Sequence, residues 1–147
     1  MYKHILLPTD GSKLSLRAVK RGIELAKSVG ARVTGFYANP GIPIEYFEYG
    51  MPLPENMLEA ESAREKKLAQ KYLAAVSDLA AKAGVSCETV LVENRLPYDA
   101  IIAAAKRKRC DLIVMASHGR SGITSRLLAG ETTKVLTHSK IPVLVCR

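Results

Sequence analysis

At 147 residues with 48% hydrophobic side chains, the chain fits one globular domain, 1–147, burying roughly 68 to 70% of its unfolded surface. Its net charge of +8, from 22 Lys+Arg against 14 Asp+Glu, favours anionic partners but does not choose among nucleotide, nucleic acid and lipid headgroup. Aromatic content of only 5% and no apolar run of about 18 residues argue against nucleic acid held by base stacking and against a membrane span.

The cysteines Cys87, Cys110 and Cys146 are odd in number, far apart, and show neither a CxxC pair nor a Cys/His ligand spacing. A reducing, cytoplasmic setting is the simplest home for them. The apolar run at the start, Ile5-Leu6-Leu7, is too short for a signal peptide, so the expectation is a soluble, untargeted chain.

In chain order, short β-branched or apolar runs alternate with helical patterns. Strands are expected at His4 to Thr9, Arg32 to Ala38, Cys87 to Val92, Asp111 to Ala116 and Ile141 to Cys146, several of them apolar on both faces. Between them, helices are expected over Leu14 to Val29, Asn56 to Ala83, Tyr98 to Arg109 and Thr132 to His138. Gly30 and Gly84 suit the left-handed position that ends a helix. This alternation implies an α/β fold, an open parallel sheet with right-handed crossovers and helices on both faces.

In the long second helix, Leu68, Tyr72, Ala75, Val76, Leu79 and Ala83 form the apolar stripe, while Glu59 to Lys67 faces solvent. Residues 39–54 are the one long irregular connection, and Tyr46, Phe47 and Tyr49 either cover a ligand or pack on their own helix. The basic run Lys106 to Arg109 closes the third helix, where cations complement the macrodipole.

Two segments carry chemistry. The first strand ends in Pro8-Thr9-Asp10-Gly11-Ser12, where Asp10 either reaches a ribose or a metal ion, or caps the next helix together with Ser12. The fourth strand empties through Met115 and Ala116 into a glycine loop with Gly119, Arg120 and Gly122, and a helix then starts near Ala129-Gly130-Glu131-Thr132. Glycines leave backbone N–H groups open to an anion, and a helix N-terminus favours negative charge, so a phosphate ester is the expected ligand.

Taken together, Pro8 to Ser12, Asp111 to Gly119 and Lys134 to Val145 resemble the universal stress protein family over essentially the whole chain. The resemblance implies a Rossmann-like, adenine nucleotide alpha hydrolase-like sheet of order 3-2-1-4-5. It also implies a stress-response homodimer and, in one branch, ATP between strands one and four. Position by position, Pro8, Thr9, Asp10, Ala38 and Met115 would flank the adenine and ribose. Ala116, Gly119, Ala129, Gly130, Glu131 and Thr132 would line the phosphates, with Arg120 and the Gly122 loop in support. Mg²⁺ would arrive with ATP or AMP, because no carboxylate cluster exists to hold it alone. In that strand order Ile141 to Arg147 lies at the sheet edge, where antiparallel pairing with a second copy would cover its open N–H and C=O groups.

The family fingerprint for ATP runs glycine, two residues, glycine, nine residues, glycine, then serine or threonine. Here Ala116 replaces the first glycine and Ala129-Gly130 the final pair, so the phosphate-directed hydroxyl is missing. A hydrogen bond to a charged group contributes about 1.5 to 3 kcal/mol, so its loss weakens binding roughly 10- to 150-fold. Glu131 is expected to worsen this by occupying the positive end of its own helix.

The chain has no GxxxxGK[ST], no GxGxxG after its first strand and no GxSxG around Ser117-His118, which argues against a Walker-type NTPase, a dinucleotide fold and a serine hydrolase. A response-regulator receiver would need acids beyond Asp10 and Glu93. The two readings left are an adenine-nucleotide-binding stress protein, at most a slow ATPase, and a dimeric interaction module that binds no nucleotide.

Overall fold

A computed structural model describes residues 1–41, 50, 53–117 and 130–147. Among these, five strands and four helices alternate: β1 (His4–Pro8), α1 (Lys13–Val29), β2 (Arg32–Asn39), α2 (Glu55–Ala83), β3 (Cys87–Glu93), α3 (Pro97–Arg107), β4 (Leu112–Ala116), α4 (Glu131–His138) and β5 (Val143–Cys146). The strands form one sheet of order β3-β2-β1-β4-β5, and every pairing is parallel, as expected.

The alternation of side chains along each strand divides the core in two. Ile5, Leu7, Val33, Leu112 and Val114 pack against Val19, Ile23, Val76 and Ala80 of α1 and α2. On the other face Leu6, Phe36, Ile113 and Met115 meet Ile101, Ala105 and Val135 of α3 and α4. Residues along β1 and β4 are therefore buried on both faces, which explains their unbroken apolar runs.

Several boundaries differ from the sequence expectation. β5 begins at Val143, not Ile141, because Pro142 has no N–H to give; its carbonyl instead accepts from Ile113. In α2 the fully buried line is Ala69, Leu73, Val76 and Ala80, with Leu68, Tyr72, Ala75, Leu79 and Ala83 only half-buried beside it. Gly35 of β2 has no Cβ in the way of Val76, so the helix meets the sheet along that line. Gly30 and Gly84 end α1 and α2 in the left-handed region, with φ of 71° and 73°. At the end of α3 that role falls on Arg109, at φ 56°, and the helix stops at Arg107.

The amino ends of the strands are tied by polar groups. Asp111 accepts from the backbone N–H groups of both Lys3 (2.8 Å) and His4 (3.0 Å). Burial alone would raise its pKa, but these bonds outweigh that and hold the carboxyl below its ordinary value. His4 is buried in the central strand, with Nε2 2.7 Å from the Thr34 hydroxyl. Thr34 donates to Glu88, whose other oxygen accepts from Lys108 at 2.8 Å. Part of the basic run is thus an ion pair that ties the residue capping α3 to β3.

Candidate functional site

Strand order reverses beside β1, and the carboxyl ends of β1 and β4 open there into the crevice where ligands of doubly wound sheets bind. On the β1 side, Pro8 ends the strand opposite Phe36, and the Thr9 N–H continues the ladder to the Phe36 carbonyl at 2.9 Å. The chain then turns within a dense set of polar contacts. Asp10 Oδ1 accepts from the Ser12 N–H (2.9 Å), Ser12 Oγ accepts from the Ser15 N–H (3.1 Å), and the Ser15 hydroxyl donates to the Ser12 carbonyl (3.0 Å). The Thr9 hydroxyl lies 3.1 Å from Ser15 Oγ and accepts from the Gly11 N–H at the same distance. Ser12 is therefore the cap of α1, and Asp10 closes the turn that precedes it.

One atom of this set is unused. Asp10 is only 5% exposed, and its Oδ2 has no hydrogen-bond partner among the described residues. A buried carboxylate oxygen without a donor is costly, so the geometry suits a hydroxyl or N–H supplied by a ligand. Gly11 fixes the turn in two ways: its φ of +77° disfavours other residues, and a Cβ there would overlap the ring of Tyr72 from α2. Tyr72 in turn lies 5.7 Å from the Tyr37 ring, a contact between α2 and β2 that gives no periodic signal in the sequence.

On the β4 side, Met115 and Ala116 are fully buried. The Ala116 carbonyl accepts from the Thr132 hydroxyl at 2.7 Å, which clamps α4 to the end of β4 and uses that hydroxyl's only proton. Ala38 stands on the other side of β1, buried near the end of β2. Gly130 begins α4 at φ +78°; a Cβ there meets nothing within 4 Å, but an L-residue would be strained, so restoring the serine of the fingerprint would have to shift this backbone.

Glu131 stands in the first turn of α4. Its Oε2 accepts from the Tyr98 N–H at 2.7 Å and its Oε1 from Lys134 Nζ at 3.1 Å. Tyr98 is the second residue of α3, which has Pro97 first and no side-chain cap from Leu96, so the carboxylate also satisfies one free N–H of the neighbouring helix while its charge stays at the start of its own. Lys134 also lies 5.5 Å from the Tyr98 ring, and the His138 ring is 5.4 Å from it, tilted by 33°.

The fold thus gathers Pro8, Thr9, Asp10, Ala38, Met115, Ala116 and Thr132 at the carboxyl ends of β2, β1 and β4. Gly130 and Glu131 begin the adjoining helix. Gly119, Arg120, Gly122 and Ala129, together with His118, Tyr46, Phe47 and Tyr49, lie outside the described residues. Among the described residues no group of three or more His, Cys, Asp or Glu side chains is placed to hold a metal ion. None of the described helices is long and apolar enough to cross a membrane.

The family model described as the universal stress protein family matches residues 1–147. The chain belongs to the universal stress protein family. Universal stress protein MJ0531 of Methanocaldococcus jannaschii is 35% identical over 147 residues, covering 100% of this chain and 83% of that protein. Universal stress protein YxiE of Bacillus subtilis is 30% identical, with 100% of each chain covered. Among solved structures, a universal stress protein in complex with cAMP is 27% identical, with a TM-score of 0.70 over 99% of this chain and 97% of its own. The hypothetical protein MJ0577 shares the fold at a TM-score of 0.75 and 24% identity, covering 99% of this chain and 95% of that one.

Proposed function

We propose that this universal stress protein binds an adenine nucleotide in the crevice between β1 and β4, and that ATP or AMP, with Mg²⁺ carried by the phosphates, is its ligand. The observation that carries the reading is Asp10 Oδ2, buried beyond the end of β1 and unpartnered among the described residues, an acceptor suited to a ribose hydroxyl. The cAMP complex of a relative supports the same ligand class. The ribose would bond Asp10, and Ala38 and Met115 would border the base. When bound, the nucleotide supplies the phosphates that the α4 N-terminus attracts. The grip there is weak, because Gly130 brings no hydroxyl and Thr132 has committed its proton to Ala116.

We place the protein in the cytoplasm as a stress-response homodimer joined through Ile141 to Arg147; its three cysteines are all free thiols. The second reading, an interaction module without nucleotide, is favoured by that same use of Thr132 and by the negative charge of Glu131 at the start of α4. Mass spectrometry of the denatured protein's supernatant, with calorimetry against ATP, AMP and cAMP, separates the two. Ligand at about 100 times its dissociation constant should add about 2.7 kcal/mol of stability. No co-purified nucleotide, no heat and no thermal shift at millimolar ligand would leave the interaction module.

A further inference from the structure

The outer face of α1 carries a long stripe of basic charge. Between Lys13 and Val29 stand Lys13, Arg17, Lys20, Arg21 and Lys27 against the single acid Glu24. Their net charge of +4 is half of the chain's +8. The longer α2, by contrast, carries five acids and five bases. At 100° per residue the six charged side chains of α1 fall within an arc of about 120°, opposite the buried line Ser15, Ala18, Val19, Gly22, Ile23 and Ala26. All six are exposed, and none joins an ion pair among the described residues, although Arg21, Lys20 and Lys27 lie three or four positions from Glu24. The stripe is straight and about 21 Å long, from the 1.5 Å rise per residue.

We propose that this stripe is a docking surface for an acidic helix of a partner protein. A helix lying alongside can present carboxylates once per turn, about every 5.4 Å, against Lys13, Arg17, Lys20 and Lys27, and a cation against Glu24. The central acid decides against a uniform polyanion, since a phosphate backbone would meet it with like charge. The arc also lacks an aromatic or apolar side chain to stack on a base or enter a headgroup layer.

The test uses a synthetic helical peptide with glutamates at one-turn spacing and one lysine placed opposite Glu24. A shuffled peptide of the same composition, a short DNA duplex and phosphatidylserine-rich vesicles serve as comparisons. The matched peptide should bind about tenfold or more tighter than the shuffled one, and weaken as salt rises. Arg17→Glu with Lys20→Glu should abolish binding, and Glu24→Lys should lower affinity for the matched peptide, with thermal unfolding and nucleotide binding unchanged. Equal binding of both peptides, or tighter binding of DNA or vesicles than of the matched peptide, overturns the proposal.

Discussion

Glu131 and Tyr98 join the first turns of two helices through one 2.7 Å hydrogen bond between residues 33 apart in sequence. The bond makes Glu131 part of the scaffold that sets the angle between α3 and α4. Glu131→Val therefore leaves the Tyr98 N–H and the Lys134 ammonium without their partner and should cost about 1 to 3 kcal/mol in chemical denaturation. Glu131→Gln, which keeps an acceptor, should cost less. Equal stability of all three proteins would remove this role.

Asp10 Oδ1 closes the turn onto the Ser12 N–H, and the proposed function gives Oδ2 to the ligand. Asp10→Asn keeps the acceptor for the Ser12 N–H and turns the unpartnered position into a donor, so stability should hold or rise. Nucleotide affinity by calorimetry should fall roughly 10- to 150-fold, the equivalent of about 1.5 to 3 kcal/mol. An affinity unchanged by this substitution would confine Asp10 to its turn.

Gly11→Ala should be among the most damaging single changes in the described turn. It places a Cβ against the Tyr72 ring and an L-residue at φ +77°, a backbone cost of about 1 to 3 kcal/mol before the overlap is counted. Adding Tyr72→Ala should recover the overlap but not the backbone strain. A double mutant as stable as the unmutated chain would mean that the turn relaxes freely.

Acid should weaken the fold in two stages. Burial, reinforced by Arg32, holds the His4 pKa below its ordinary 6.5, with Glu88 and Asp111 in partial opposition. The unfolded chain thus binds the extra proton first, and stability falls as pH drops through the window beneath 6.5. Asp111, depressed in the fold, contributes stability above its unfolded value of about 3.9, lost as pH falls through the folded pKa. His4→Gln should flatten the upper stage of urea midpoints against pH and Asp111→Asn the lower one. A profile that keeps both slopes in these variants would assign them to other groups.

The sheet edge gives a prediction on assembly. Val143 is half-buried against the α3 and α4 core, so a charge there would injure the fold itself, whereas Leu144 is 43% exposed. Leu144→Glu should split the proposed homodimer by light scattering while leaving the melting temperature of the dilute protein close to its original value. A monomer in the unmutated protein at micromolar concentration would set the dimer aside.

Much of the fold was legible because its signals are local. Gly30 and Gly84 mark helix ends through a backbone conformation that glycine adopts without strain, and the two-faced apolar runs of β1 and β4 mark a doubly covered parallel sheet. Arg109 ends α3 in the left-handed region with no such mark. At the site, Asp10 and Ser12 announce a turn and cap by residue type, and the structure assigns one task to each. The pairings of Glu131 with Tyr98 and of Thr132 with Ala116 were illegible, since they depend on how distant elements pack.

The carboxylate of Asp111 also bears on the order of events during synthesis. Its bonds to Lys3 and His4 span 108 and 107 positions, and β4 is the neighbour that pairs with β1 at Ile5 and Leu6. As the nascent chain leaves the ribosome, β1, β2 and β3 are available to assemble long before residue 111 emerges. Until then the central strand of the finished sheet is an outer strand, with an open ladder and Ile5, Leu6 and Leu7 beside it, a surface prone to pair with the wrong chain. At the 5–20 residues per second typical of translation, the delay between completing β3 at Glu93 and supplying Asp111 is about one to a few seconds. Slowing elongation between those two codons should therefore raise aggregation of this protein even though its final stability is unchanged.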